Sequence, residues 1–265
     1  MSTKLVFFAL VLVLLAPLAA FADDDDDNDN KLKAVPFAFV GKADDCAFPP
    51  DTPTYPAGSR IVTSAWLGGM GLPDNGSPNF NATTPSDPPN KKDPHLGLLL
   101  NKNGASAICS SAGAEIKGVK GMDVTASFHL GFDYRNGGHC GAGAPRFNVV
   151  SKTGSTETFH FVGGCSNGTP MTAGQDPNEW TRVRFDTANP AQSFPPIPEG
   201  SEIRSIDLIY DEGTDTPNND TQGVGLAVVD NIDINGREIR KGSGIEDGIH
   251  RDKDGKDRNR DRDDD

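Results

Sequence analysis

Apolar residues recur at every second position through several stretches of this chain. Val124, Ala126, Phe128, Leu130, Phe132 and Tyr134 alternate with Thr125, Ser127, His129, Gly131 and Asp133. A period of two is that of a strand with one buried face. The same pattern sets Phe147 and Val149 against Arg146 and Asn148, Phe159 and Phe161 against Thr158 and His160, and Val183 and Phe185 against Trp180, Arg182 and Arg184. In each pair the apolar set is expected to face the core. Arg60–Leu67 and Leu96–Leu100 predict two further strands. Glu202–Tyr210 and Val224–Ile234 are apolar on both faces, as central strands are. Asn235-Gly236 is a type I′ turn signal with a short return through Ile239, and 146–152 with 157–163 predict a hairpin turning at Thr153-Gly154. No stretch sustains a helical period. About ten strands joined by Pro/Gly-rich connections predict an all-β fold, an antiparallel jelly-roll-like β-sandwich with long loops. The longest loop, roughly 68–94, exceeds what a compact domain usually carries without a function.

The ends differ in character from the body. Lys4, the apolar run Leu5–Leu15 and the small-x-small triplet Ala20-Phe21-Ala22 have the layout of a secretory signal peptide over residues 1–22. Residues 23–33 read as an acidic, disordered leader. The sandwich is expected over 34–242, and 243–265 as a disordered tail of alternating Asp, Arg and Lys. The expected location is therefore extracytoplasmic. The formal net charge of −13 makes nucleic acid and anionic lipid unnatural partners, and no membrane span is expected in the mature chain.

An exported chain with Cys46, Cys109, Cys140 and Cys165 reads as carrying two disulfides. Three pairings exist. Cys140–Cys165 is favoured because both residues lie just outside the expected hairpin, which leaves Cys46–Cys109. The rival is a zinc site using His139, Cys140, His160 and Cys165, but no Cys-x-x-Cys pair is present.

The segment Gly225-Leu226-Ala227-Val228-Val229-Asp230-Asn231-Ile232-Asp233-Ile234-Asn235-Gly236 resembles the closing strand of jelly-roll carbohydrate-binding modules. The resemblance covers about a dozen residues and bears on fold more than function. It implies a sandwich that binds sugar, in some cases with a structural calcium.

Three constellations are candidates for chemistry. The first is a polar sheet face bearing His129, Asp133, Arg146, Asn148, His160, Trp180, Arg182 and Arg184. An indole stacks on a pyranose ring while forked donors and carboxylates bond its hydroxyls. The plain alternative is a solvated face with Trp180 tucked under a loop. The second is the loop 211–220, where Asp211, Glu212, Asp215 and Asp220 offer hard oxygens to calcium; the alternative is a polar turn. The third is Asp230, in register with Val228, Ile232 and Ile234 and so expected to face inward. A β-bulge, or a carboxylate that fixes a loop, is the preferred explanation. The Gly-rich run 136–145 reads as a tight loop pinned by Cys140. Catalytic signatures are absent from the sequence, although Glu115, Asp133, Glu157 and Asp207 could supply a glycosidase pair. These features point to an exported, non-catalytic protein binding a glycan or cell-surface component, with a polysaccharide-acting enzyme or a surface-assembly protein as alternatives. Calcium is the one cofactor the sequence suggests.

Overall fold

Alternating sequence builds strands here, and the strands build two layers. The computed structural model describes residues 31–39, 62–77, 88–102, 110–212 and 225–247. In chain order the strands begin with β1 (Lys33–Phe39), β2 (Val62–Leu67), β3 (Gly97–Lys102), β4 (Ser111–Lys117) and β5 (His129–Arg135). They continue with β6 (Arg146–Thr153), β7 (Thr156–Gly163), β8 (Thr169–Thr172), β9 (Trp180–Asp186) and β10 (Ser193–Phe194). The last four are β11 (Glu202–Tyr210), β12 (Leu226–Ile234), β13 (Arg237–Ile239) and β14 (Ile245–Asp247). One sheet has the order β1-β4-β11-β6-β7-β10. The other runs β14-β2-β3-β12-β5-β9-β8, with β13 paired to β12. Every pairing is antiparallel, and the two sheets pack as a sandwich, as the alternation predicts. Among the described residues the one helical element is a 3-10 turn at Cys165–Asn167.

The core lies between the sheets. Phe147 of the six-stranded sheet meets Phe132 and Phe185 of the other at ring separations of 5.9 and 6.2 Å, and Phe132 and Phe185 stand 5.8 Å apart. All three are fully buried, each worth about 1.5–3 kcal/mol of burial. Around them pack Val149, Ile206, Leu208, Leu130, Val229 and Ile232.

Three of the predicted strands depart from the sequence expectation, and β14 pairs with β2 inside the stretch 243–265 expected as a disordered tail. β5 begins at His129, because Val124 bonds with the 200–201 loop and Phe128 closes a turn onto Thr125. Val124 and Phe128 nevertheless enter the core. In β7 the period is right and the face is inverted. Hairpin register places Phe147 opposite Val162 and Val149 opposite His160, and cross-strand partners share a face. Val162 and His160 therefore point inward, and Phe159 and Phe161 point out, at 45% and 43% exposure.

The third departure is in β12, where the ladder to β5 shifts between Asp230 and Asp233, and Asn231 takes a left-handed φ of 43°. This bulge switches parity. Ala227 and Val229 face the core before it, and Ile232 and Ile234 after it. Asp230 shares the outer side with Val228 rather than the core side with Ile232 and Ile234. It still ends up 1% exposed, under the 68–77 loop, where its carboxylate accepts the Leu72 and Asn231 backbone N–H groups at 2.7 and 2.6 Å. A bulge and a loop-fixing carboxylate are both present.

Cys140 and Cys165 form a disulfide with Cα atoms 5.0 Å apart, as hairpin geometry implied. That removes both thiolates from the rival zinc site. Cys46 and Cys109 lie outside the described residues. Replacing Cys140 and Cys165 together by Ser should lower stability by about 3 kcal/mol, the closure entropy of a loop of this length. Urea denaturation of the two proteins measures this, and an unchanged free energy would contradict it.

Candidate functional site

The eight sequence-predicted face residues divide among three places. His129, Asp133, Trp180, Arg182 and Arg184 sit on the outer side of the eight-stranded sheet, because β5 and β9 are neighbours there. That side is roofed rather than open. Leu72, Ala173, Trp180 and Val228 form a second apolar cluster, with Met70, Leu99 and Leu226 against it. Trp180 is 4% exposed and offers no ring face, so the exposed-platform expectation is corrected and the tucked-under-a-loop alternative holds.

Beside this cluster runs a buried polar network. Asp133, fully buried, takes Nε and Nη2 of Arg182 at 2.7 and 3.0 Å and the Asn231 amide at 2.8 Å. Arg184 pairs with Asp233 at 2.7 Å, and His129 lies 3.4 Å from the same carboxylate. The facing Asp133 carboxylate raises the Arg182 pKa further. Burial pushes the Asp230 carboxyl well above its ordinary range, opposed by the two amides it accepts. Gln175 closes the network, accepting from Asn231 at 2.7 Å and donating to the Pro73 carbonyl at 2.9 Å. These groups bind chiefly one another, with Asn231 Oδ1 left without a hydrogen-bond partner, and their arrangement fixes loops.

His160 is between the sheets. The Pro195 carbonyl can only accept, so Nδ1 donates to it at 2.8 Å and Nε2 takes the Ser151 hydroxyl at 2.8 Å. Burial lowers its pKa, as a neutral ring requires. It is a core histidine and reaches no ligand.

Arg146 and Asn148 are on the open face, the outer side of the six-stranded sheet. Register aligns one residue from each strand across it: Phe194, Phe161, Asn148, Asp207, Glu115 and Val35. At the usual strand spacing this row spans roughly 24 Å. Phe194 is 73% exposed, and Phe159 meets Phe161 edge-on with centroids 4.9 Å apart. Arg146 is locked beside them. Its Nη1 and Nη2 grip Asp211 at 2.6 and 2.7 Å, Nη1 also reaches the Gly143 carbonyl, and Nε donates to Asn148 Oδ1 at 3.1 Å. The guanidinium carbon stands 5.3 Å from the Phe161 ring centre, a cation–π contact. With its oxygen taken, Asn148 keeps its NH2 without a partner among the described residues. The result is a rigid strip of ring surface with fixed polar groups along one side.

Further along the row Asp207 stands directly opposite Glu115, which is bridged to Lys117 at 2.8 Å. Burial, and then the Glu115 charge, raise the Asp207 pKa to about 6. Of the other carboxylates named as a glycosidase pair, Asp133 is enclosed in its network, and Glu157 lies 3.7 Å from Arg204.

The metal expectation meets two paired carboxylates. Asp211 is held by Arg146, and Glu212 by His139 at 2.6 Å; Asp215 and Asp220 lie outside the described residues. A Cβ at Gly141 or Gly143 would meet the Glu212 carboxylate, the movable end of a side chain, and Gly137 takes a left-handed φ of 83°. Among the described residues no three His, Cys, Asp or Glu side chains are arranged to hold a metal ion. Nor is any helix among them long and apolar enough to cross a membrane. A cleft of about 340 Å³ opens beside the disulfide, lined by Tyr134, Asn136 and Pro170, but Asn136 is already committed to Asn178 and Thr181.

No family model matches the chain, and no match to it emerges among curated proteins or solved structures.

Sequence reasoning missed Phe159, Phe161 and Phe194. The signal was in the hairpin: with a two-residue turn, odd-numbered residues of β6 face even-numbered residues of β7, so Phe147 and Phe161 cannot both point inward.

The Asp207 shift has a pH signature. The folded carboxyl holds its proton up to about pH 6, whereas the unfolded one releases it near 3.8. The folded state therefore binds more protons across that window, and the stability this group contributes is present below pH ~4 and lost as pH rises through ~6. Asp207→Asn should be near-neutral at pH ~4 and stabilising by roughly 1–2 kcal/mol at pH ~8, after allowance for solvent screening. Thermal melts at both pH values check this; a difference independent of pH would contradict it.

Proposed function

We propose that this chain is an exported, non-catalytic glycan-binding protein whose binding face is the open side of the six-stranded sheet. The observation that carries the reading is the exposed row of Phe159, Phe161 and Phe194 beside Arg146 and Asn148. Isolated exposed apolar residues are ordinary, whereas three clustered phenylalanines on a rigid sheet mark a contact surface. Ring faces pack against the C–H faces of sugars, and the Asn148 amide is placed to donate to hydroxyls. Arg146 contributes by holding Asn148 and backing Phe161, with little mobility to lose on binding. The signal-peptide pattern and the closing-strand resemblance support the same reading. Calcium would act through the 211–220 segment.

A glycan array followed by calorimetry tests the reading. Phe161→Ala with Phe194→Ala should weaken binding by roughly tenfold or more while leaving the melting temperature nearly unchanged, because both rings are exposed. Absence of any glycan ligand, or affinity unaffected by the double change, would overturn it.

A second reading, a polysaccharide-acting enzyme, is favoured by one observation, the juxtaposition of Glu115 and Asp207 on the same row. A protonated acid opposite a carboxylate is the pairing glycoside hydrolysis requires. It predicts slow turnover of a polysaccharide panel with an optimum below neutral pH, abolished by Glu115→Gln. The shallow face favours binding over turnover.

A further inference from the structure

We infer that a second site, for an oxyanion, lies in the cleft between the lead-in to β1 and the β13 hairpin. The cleft has a volume of about 280 Å³. Lys31, Arg237, Arg240 and Lys241 converge on it, against two carboxylates, Asp74 and Glu238. In a chain of net charge −13 that is a local reversal of sign.

The hairpin explains how the cations arrive together. The turn at Asn235-Gly236 sends Ile239 into the core and Glu238 to the outer side, so the chain leaving β13 carries Arg240 and Lys241 past the 68–77 loop. Glu238 is shared between the cleft and the neighbouring ion-pair network. Its Oε1 takes Arg182 at 3.1 Å and faces Arg184 at 3.5 Å, and its Oε2 takes Nε and Nη2 of Arg240 at 3.1 and 2.8 Å. Arg182, Arg184 and Arg240 balance Asp133, Asp233 and Glu238 within that network. Asp74 accepts the Leu96 amide; burial, with Asp93 beside it, raises its carboxyl pKa, while the Leu96 amide and Lys241 oppose the rise. Lys31 and Lys241 are exposed, and Lys241 faces the Asp74 carboxyl. Leu32 and Ile239 give the cleft an apolar floor.

Four cations against two carboxylates, over an apolar floor, recognise a carboxylate or sulfate carried on a carbon skeleton. An acidic saccharide has that chemistry, and so does a free oxyanion. This site does not depend on the glycan reading of the phenylalanine row.

The test is calorimetry of the folded protein with three probes: inorganic sulfate, a uronate oligosaccharide and a neutral oligosaccharide of equal length. Wild type should bind the uronate, more weakly at high ionic strength. Lys31→Ala with Lys241→Ala should reduce that affinity by roughly fivefold or more without altering folding, since both side chains are exposed. Lys117→Ala serves as a surface-charge control. Binding of the uronate without inorganic sulfate would assign the site to a saccharide-borne anion, and binding of both to oxyanions in general. No uronate or sulfate binding, or binding indifferent to the lysine pair, would overturn the inference. Phe161→Ala should leave uronate binding at this cleft intact, so failure of either site is visible separately.

Discussion

The Asp230 carboxylate and the bulge beside it set what the rest of the molecule presents to solvent. Enclosed almost completely, Asp230 accepts one amide from its own strand and one from Leu72. A buried carboxylate without such partners would be costly, so loop and strand hold each other. Asn231, in the left-handed conformation that Asn tolerates, sends its amide to Asp133 and Gln175. The loop is thereby tied across the outer side of the eight-stranded sheet, and Leu72 comes down on Trp180.

This roof decides where a ligand can sit. On the eight-stranded sheet the aromatic and guanidinium groups that would suit a sugar are consumed in packing and ion pairs. On the six-stranded sheet no such network covers Phe159, Phe161 and Phe194, and Arg146 is the fixed point instead. Its bonds to Asp211, Gly143 and Asn148 join the strip to the Gly-rich loop that the disulfide pins. A site built this way is stiff before anything binds, which suits recognition by shape and stacking.

Much of the fold was legible in the sequence because alternation reports directly on strands with one buried side. The central strands, the 146–163 hairpin, the Asn235-Gly236 turn and the Cys140–Cys165 bridge all follow from local pattern. The site was less legible, for two physical reasons. Alternation says that a residue points away from a core but not from which sheet, so Arg146 and Asn148 were grouped with Trp180 and Arg182 from the opposite side. It also fixes period without sign: in β7 hydrophobicity argued that Phe159 and Phe161 face inward, while hairpin register put His160 there, bonded to Ser151 and Pro195. That local conflict between hydrophobicity and register is where the exposed phenylalanines emerge, and such conflicts concentrate at functional surfaces.

The most direct test of this account is chemical-shift mapping of the isotope-labelled protein titrated with its best glycan ligand. The account predicts perturbations concentrated on β6, β7 and β10, centred on Asn148, Phe161 and Phe194, with the Trp180 indole unmoved. Perturbations centred on Trp180 and β9, or on Asp211 and Glu212 with the phenylalanine row silent, would contradict it.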